Sequence, residues 1–183
     1  DPDYHYEGIA MGTSEAVGYE NEEGCITGWL NELAFVSVDA NPDAMRDEWS
    51  GDIGCGVKYF CQDGVIKLAP RAGIELDESL SPAEKLKVVQ KLMEEGDERA
   101  AKVYESIGVY LGHTLAYYYE KYGFRDVLLG RVMSGKGGDL LLATCQKVLN
   151  DEYPDAAAKF KLTLPDEKFR RVGQSMAAAS LPS

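Results

Sequence analysis

The stretch "RDVLLGRVMSGKGGDLLLATCQKVLN", residues 125–150, decides how the rest of the sequence is interpreted. Its apolar run "DVLL" predicts a short buried strand, and "LLLATCQKVL" has the apolar spacing of a helix. Residues 130–139, between them, contain four glycines and one lysine. A glycine-rich turn from strand to helix exposes backbone N–H groups and lets a ligand approach closely, which suits the adenosine and phosphate portions of a nucleotide. The stretch matches neither GxxxxGKS/T nor GxGxxG, and the alternative is an ordinary flexible turn.

A second glycine-containing stretch, "MGTSEAVGY" at residues 11–19, has Gly12, Thr13 and Ser14 between two strand-like runs. A tight hairpin that offers hydroxyl groups and free amides can bind phosphate oxygens. The alternative is a turn in which the threonine and serine satisfy only nearby backbone groups, as they do in most turns. Neither stretch alone identifies a ligand.

Composition and charge restrict the class of protein. The 183 residues, 45% of them hydrophobic, are enough for one well-buried domain. The net charge is −12 and no run of Lys or Arg exceeds two residues, so we expect no nucleic acid partner. No apolar run approaches the roughly 20 residues that cross a bilayer, so we expect a cytoplasmic protein without membrane contact. The four scattered cysteines favour free thiols over a disulfide framework.

The sequence between Tyr6 and Asp39 has a β texture. Its strand-like runs are "YEGIAMGT", "EAVGYEN", "CITGW" and "LAFVSVD", and they predict an antiparallel meander. Residues 40–54 contain Asn-Pro and Ser-Gly breakers without periodicity and predict a loop. Residues 56–69, "GVKYFCQDGVIKLA", have apolar residues at helical spacing and predict a helix.

Two helices have clear ends in the sequence. Ser81 is a suitable N-cap, followed by a first-turn proline and by Glu84 placed to bond the cap backbone, so a helix starts there and ends near Gly96. Asp97 caps a longer helix, which Gly123 terminates. The apolar residues of the longer helix recur at steps of three and four and form one stripe: Ala100, Tyr104, Ile107, Leu111, Leu115, Tyr118 and Tyr122.

The C-terminal part of the sequence alternates between helix and strand. "LLLATCQKVLNDEYP" predicts a helix that Pro154 closes, "KFKLTL" predicts a strand, and "RRVGQSMAAASL" predicts a small-residue helix. The strands are concentrated first and the helices dominate afterwards, which is typical of an α/β chain.

The order of these elements resembles the C-terminal lobe of the ROK (repressor, open reading frame, kinase) sugar kinases of the actin-like superfamily. "GIAMGTSEAVGYENEEGCITGWLNELAFVSVD", residues 8–39, resembles the family's second phosphate hairpin and substrate segment. Residues 98–130 resemble its helix and strand before the adenosine loop, and "RRVGQSMAAASL" its C-terminal helix. The resemblance implies an α/β, ribonuclease-H-like fold: a mixed sheet with an antiparallel meander and flanking helices. Residues 1–183 would form a single C-terminal lobe.

The resemblance also implies ligands and site residues. ATP with Mg²⁺ would be the cofactor, and a sugar would be the substrate. Asn31 and Glu32 would contact the sugar, with Glu32 hydrogen-bonded to its hydroxyls. The nucleotide contacts would be Gly12, Thr13, Ser14, Gly130, Ser134, Gly135, Gly137 and Gly138. Gly12 and Thr13 would face the phosphates, and the five residues from Gly130 onward would line the adenosine pocket.

The sequence departs from the family pattern in two places. Ala34 and Phe35 stand where the family has Gly and His, a histidine that often contacts sugar and zinc. The family's zinc segment, CxCGxxGCxE, is at most partly matched by "GCGVKYFCQD", which keeps Cys55 and Cys61. Tetrahedral zinc takes four ligands, so we expect no metal site and interpret both cysteines as packing thiols.

Two further groups of residues have a functional and a plainer interpretation. The spacing of the acidic residues at 39–52 does not match an EF-hand, and we interpret them as solvated loop surface rather than a cation site. These residues are Asp39, Asp43, Asp47, Glu48 and Asp52. The three consecutive tyrosines at 117–119 cannot all face one way on a helix, so we expect packing rather than a stacking platform.

The function that the resemblance implies is incomplete in this chain. The family's catalytic Asp and first phosphate loop belong to an N-terminal lobe, which this sequence lacks. Half a cleft cannot exclude water or align the reacting oxygens, so we expect no catalytic residue here and no kinase activity of the isolated chain. The implied partners are the N-terminal lobe and a second copy. The alternatives are the lobe of a sugar-sensing ROK regulator and a non-catalytic structural or assembly module.

Overall fold

Four strands form one mixed sheet in the computed structural model, which describes residues 6–11, 15–19, 33–129 and 135–163. The strands are β1 (Tyr6–Met11), β2 (Glu15–Tyr19), β3 (Asp126–Leu129) and β4 (Lys161–Thr163). The order across the sheet is β2-β1-β3-β4. β1 pairs with β2 antiparallel and with β3 parallel, and β4 is parallel to β3. The mixed sheet with helices around it confirms the predicted α/β class.

The helices are α1 (Gln62–Leu68), α2 (Pro82–Glu94), α3 (Glu98–Tyr122), α4 (Gly135–Glu152) and α5 (Pro154–Ala157). Three short 3₁₀ helices accompany them, at Leu33–Phe35, Gly56–Lys58 and Pro70–Ala72. Within the described ranges, none of these helices combines the length and apolarity needed to cross a membrane.

The predicted meander is only partly present. Its first two runs are β1 and β2, and "CITGW" lies outside the described residues. The prediction of a strand for "LAFVSVD" is wrong, because Leu33–Phe35 form a 3₁₀ helix and Ser37 makes only an isolated bridge to Cys55. Leu33 and Ala34 are consecutive and both buried, which a strand with alternating faces does not allow beside one core.

The predicted helix over 56–69 is interrupted. A 3₁₀ helix ends at Lys58, and α1 begins only after Cys61, whose extended backbone serves as its N-cap. Gly64 packs directly on the preceding backbone, where a Cβ would lie 2.3 Å from the carbonyl oxygen of Tyr59. The apolar spacing is compatible with one continuous helix, but these close contacts divide the segment into a 3₁₀ helix and α1. The loop predicted for residues 40–54 is confirmed, since this range holds only turns and a bridge.

The two helices with clear sequence signals are confirmed. Ser81 caps α2 in a reciprocal capping box: Glu84 N–H donates to Ser81 Oγ at 3.4 Å, and Ser81 N–H donates to Glu84 Oε2 at 2.8 Å. Asp97 caps α3 by accepting from the Arg99 amide at 2.8 Å. Gly123 ends α3 in the left-handed conformation, with φ of +62°.

The predicted stripe of α3 is the centre of the core. Every member is buried except Tyr122, which is partly buried. α4 crosses α3 closely because two glycines on α3 leave room: a Cβ on Gly108 would lie 2.6 Å from the Leu141 carbonyl oxygen, and one on Gly112 would lie 2.7 Å from Val148 Cβ. This close crossing fixes α4 relative to α3.

The C-terminal predictions are partly confirmed. α4 begins at Gly135, inside the glycine-rich stretch and before the predicted start at Leu140. It ends at Glu152, and Pro154 begins the short helix α5. β4 confirms the strand predicted in "KFKLTL", whereas "RRVGQSMAAASL" lies outside the described residues.

Candidate functional site

Two neighbouring parallel strands end beside each other, directly before the two stretches predicted to bind a nucleotide. β1 ends at Met11 and β3 at Leu129, and the register pairs Ile9 with Leu129. Parallel neighbours lie about 4.8 Å apart and point the same way, so their carboxyl ends share one edge of the sheet. We call the end of the sheet marked by Met11 and Leu129 the carboxyl edge. Gly12–Ser14 and residues 130–134 follow it directly but lie outside the described residues.

The chain that follows the predicted sugar contacts lies next to this edge. Glu15, the first residue of β2, is buried, and Gly56 lies against it. A Cβ on Gly56 would be 2.7 Å from Glu15 Oε2 and 3.5 Å from the Ala34 carbonyl oxygen. The residues after Ser14 and after Glu32 are therefore close neighbours. Asn31 and Glu32 themselves lie outside the described residues.

The 3₁₀ helix after Glu32 is anchored to the core. Leu33 is buried, and its carbonyl oxygen accepts a hydrogen bond from Tyr118 Oη at 3.0 Å. Tyr118 is fully buried and belongs to the α3 stripe, near the C-terminal end of that helix. The chain is thus held at a fixed point one residue beyond the predicted sugar contact.

The first turn of α4 is tied to the end of α2. Gly135 has φ of +78°, in the left-handed region that favours glycine. The Lys136 amide donates to Glu94 Oε1 at 3.1 Å, and Lys136 Nζ donates to the Glu94 carbonyl oxygen at 2.9 Å. A carboxylate thus already complements the positive N-terminal end of α4. Glu94 thus engages both the amide and the ammonium of Lys136, two groups that could otherwise bind a phosphate.

Packing accounts for a second glycine of the cluster. Gly137 is buried, and a Cβ there would lie 2.5 Å from the ring of Tyr104. Tyr104 is 1% exposed, and burial, followed by the nearby charge of Glu94, raises its pKa to about 12. Gly138 is also buried. Helix packing alone therefore requires glycine at 137, whereas Gly130 and Ser134 lie outside the described residues.

Residues 36–55 form a segment that extends away from the core, which we call the excursion. A buried carboxylate holds this segment to α3. Tyr59 Oη and Tyr110 Oη both donate to Asp39 Oδ2, at 2.5 and 2.9 Å, and the Asn41 amide donates to Oδ1 at 2.9 Å. Burial raises the pKa of Asp39, but these hydrogen bonds outweigh it and leave the pKa below its usual value. Asp39 therefore stays ionised at neutral pH and organises the excursion.

A buried lysine holds the other half of the excursion. Lys58 Nζ lies 3.2 Å from Asp47 Oδ1, 2.6 Å from Glu48 Oε2 and 3.5 Å from Asp63 Oδ2. The side chains of Lys58 and Asp47 are only 7% and 8% exposed. All three carboxylates share this one ammonium as an ion-pair partner, so the group is an ionic anchor of the fold.

The prediction that the acidic residues form a solvated surface is therefore wrong for two of them. Asp39 and Asp47 are buried with the partners above, because the excursion folds back over α1 and α3. Asp43, Glu48 and Asp52 are exposed, as predicted.

Cys55 and Cys61 confirm their interpretation as packing thiols. They are 1% and 2% exposed, and Cys61 Sγ donates to the Val57 carbonyl oxygen at 2.7 Å. Burial raises the pKa of the Cys61 thiol to about 11, so it is protonated at neutral pH. Across the part of the chain that the structure describes, no group of three His, Cys, Asp or Glu residues could hold a metal ion.

Comparison with known proteins links this fold to one family. No protein-family model and no curated protein matches the sequence. A ROK-family transcriptional regulator, a homologue of the E. coli MLC protein, matches the structure with TM-score 0.67 and 18% identity over 87% of this chain and 41% of its own. A ROK hexokinase from Thermus thermophilus matches with TM-score 0.67 and 17% identity over 90% and 53%.

A third match is a ROK-family glucokinase from Streptomyces griseus, solved in complex with glucose and AMPPNP. Its TM-score is 0.67 and its identity 14%, over 90% of this chain and 56% of its own. The chain thus spans about half the length of these proteins. At such low identity the likeness shows the fold: this chain folds like one part of the ROK kinases and regulators.

Proposed function

We propose that this chain is the C-terminal nucleotide- and sugar-binding lobe of an ATP-dependent sugar kinase of the ROK type. Such an enzyme transfers a phosphoryl group from ATP to a sugar hydroxyl. The observation that carries the proposal is the carboxyl edge, where β1 and β3 end side by side and where the contact of Glu15, Gly56 and Ala34 brings in the sugar segment. Ligands of open α/β sheets bind at such an edge.

The nucleotide would lie across the ends of β1 and β3. The backbone amides and hydroxyls of Gly12, Thr13 and Ser14 would hold its phosphates. The adenosine would lie against Gly130, Ser134 and the first turn of α4, which begins with Gly135, Gly137 and Gly138. Glu94 supports this orientation, because it already engages the Lys136 amide and ammonium, the groups through which this turn would hold a phosphate.

Mg²⁺ would accompany the phosphates and neutralise charge that develops during transfer. The chain's own contribution is to hold the nucleotide and the sugar in fixed relative positions. Asn31 and Glu32 would bind the sugar hydroxyls. The anchor from Leu33 to Tyr118 would fix that segment beside the phosphates.

We further propose that the N-terminal lobe supplies the catalytic base and the other wall of the cleft. The isolated chain would then bind ligands without turnover, because water is not excluded and the attacking hydroxyl is not activated. A coupled ADP-release assay with the purified chain, ATP and a panel of hexoses checks this. Turnover above the rate of a heat-denatured sample would contradict the assignment of the base to another lobe.

A sugar-sensing regulator is the second candidate, because the ROK regulator matches the fold with the same TM-score as the two kinases. Isothermal titration of the chain separates the possibilities. Binding of both Mg-AMPPNP and a hexose supports the kinase lobe, and binding of a hexose alone supports the regulator. No heat with either ligand would leave the structural or assembly module.

A further inference from the structure

An exposed tryptophan in the excursion has no role in the core. Trp49 is 85% exposed, more than any other large apolar side chain in the described ranges. Its ring centroid lies 5.7 Å from that of Phe35, with the two ring planes at 39°. Phe35 covers part of the indole, and the rest faces solvent. The indole thus offers a large flat apolar surface that a ligand can contact.

The turn that carries Trp49 is held rigidly on both sides. On one side, the carboxylates of Asp47 and Glu48 bind Lys58 Nζ, at 3.2 and 2.6 Å. On the other, the Ser50 amide donates to Asp47 Oδ2 at 2.7 Å, and the Gly51 amide donates to the Asp47 carbonyl oxygen at 3.0 Å. A rigid backbone presents the indole in one place, so binding to it requires little ordering of the chain.

Through Phe35, the aromatic pair is close along the chain to the predicted sugar contacts. Phe35 directly follows Ala34, whose carbonyl oxygen lies against Gly56 next to Glu15 at the carboxyl edge. It also follows Glu32 by three residues, at most about 11 Å of chain. A sugar held by Glu32 is therefore within reach of the pair. The occupant that this position favours is the sugar itself.

We propose that Trp49, supported by Phe35, is a stacking platform for the pyranose ring of the sugar. This inference rests on the proposed function, since it takes the ligand of that same site. The C–H groups on one face of a pyranose are weakly positive and pack on the negative face of an indole, while the ring hydroxyls stay at the rim. The platform would select cyclic sugars over open-chain polyols with the same hydroxyl groups.

The test uses the full 183-residue chain labelled with 5-fluorotryptophan, whose two tryptophans give two ¹⁹F signals. Trp49→Phe assigns the Trp49 signal. The probes are D-glucose, D-mannose, D-galactose and N-acetyl-D-glucosamine, with sorbitol as the open-chain control. We expect the Trp49 signal to shift with at least one cyclic sugar and not with sorbitol.

Affinities of three variants complete the test. We expect Trp49→Ala to weaken sugar binding roughly five-fold and Trp49→Phe to weaken it less, because one aromatic contact is lost or reduced. Ile53→Ala, which removes a 47% exposed apolar side chain from the same excursion, should leave binding unchanged. Thermal melting checks that each variant is folded.

The outcomes separate the inference from the proposed function. Two results together would overturn the platform and leave the sugar-binding lobe intact. The sugar would bind Trp49→Ala as tightly as it binds the unmodified chain, and it would not shift the Trp49 signal of the unmodified chain. No binding of any probe overturns both. If Trp49→Ala instead dissociates a dimer seen by sedimentation and sugar affinity is unchanged, the platform is an interface between copies, and the inference is wrong.

Discussion

Lys58 shows how one residue changes the meaning of its surroundings. Five acidic residues in a loop are typical of a solvated surface, and the sequence contains no signal that a lysine beyond the loop will fold into them. In the structure the ammonium lies among Asp47, Glu48 and Asp63, and Lys67 Nζ lies 2.5 Å from Glu48 Oε1. A cation supplied by the chain thus stabilises the excursion that carries Trp49.

Replacing Lys58 by Met should destabilise the fold by about 3 kcal/mol, because Asp47 keeps a buried charge without its counter-ion. Lys67→Met is the matched control. The Lys67 side chain is 29% exposed and its ammonium contacts the exposed Glu48, so its loss should cost under about 1 kcal/mol. Urea unfolding at pH 7 measures both. Equal losses for the two variants would contradict the role of Lys58.

The pH dependence of stability gives a second test of the same anchor. The Ser50 amide holds the pKa of Asp47 at about 2, and the Lys58 hydrogen bond holds that of Glu48 at about 2. Both lie below the unfolded values of about 4, so their stabilisation is complete above pH 5 and is lost as the pH falls toward 2. The stability difference between the unmodified chain and Lys58→Met should therefore narrow between pH 6 and pH 2.5. A constant difference would show that the carboxylates do not depend on Lys58.

At the scale of elements, signals between residues close in the chain predicted the fold correctly. The predictions failed where contacts between residues far apart in the chain determine the structure. Hydrogen bonds within a few residues set the start of α2, through Ser81 and Glu84, and both ends of α3, through Asp97 and Gly123. The sequence alone therefore locates these helix ends. Leu33–Phe35 begin an apolar run that was predicted to be a strand, but the hydroxyl of the distant Tyr118 donates to the Leu33 carbonyl oxygen and the segment forms a 3₁₀ helix. No local pattern encodes a bond across 85 residues.

The candidate site divides in the same way. The strand, the glycine stretch and the helix at 125–150 could be predicted, because apolar spacing and glycine content are properties of residues close together in the sequence. The reason for Gly137 was not, since its close approach is to Tyr104 on another helix. The Glu94 contact with α4 and the exposed Trp49 were also missed, because neither belongs to a sequence motif. An isolated Trp in a polar turn was the only available signal for the latter.

The close crossing of α3 and α4 can be tested with one substitution that introduces a clash and a second that relieves it. Gly112→Ala places a methyl group 2.7 Å from Val148 Cβ, so we expect a loss of about 1–3 kcal/mol from overpacking. Adding Val148→Gly removes the Cβ and Cγ1 atoms that the new methyl group would meet at 2.7 and 2.8 Å, so the double variant should be more stable than the sum of the single changes predicts. Gly18→Ala, where a Cβ meets nothing within 4 Å, is the control. Additive losses in a urea-unfolding double-mutant cycle would show that the two positions do not press on each other.

At the scale of the whole molecule, the two kinds of contact that we propose share one edge of the sheet. The proposed nucleotide segments follow β1 and β3, whereas the proposed sugar segment precedes the 3₁₀ helix anchored by Tyr118. The chain spans about half the length of the ROK proteins that share its fold. Under the proposed function, ligand binding and turnover are therefore separable: binding would need the edge, and turnover would need the opposing wall as well.

Two substitutions should divide the edge into its two sites. Glu32→Gln should weaken hexose binding roughly ten-fold, since it loses hydrogen bonds from a charged acceptor, while Mg-AMPPNP binding stays the same. Thr13→Val should do the reverse, weakening the nucleotide several-fold through one lost hydroxyl and sparing the sugar. Glu95→Gln and Ser106→Ala, exposed and partly exposed changes on α2's end and α3, are the matched controls. Titration calorimetry of each folded variant with each ligand measures the split. If either change abolishes both affinities while the melting temperature is unchanged, the two segments form one inseparable site, and the division of labour argued from the strand ends is wrong.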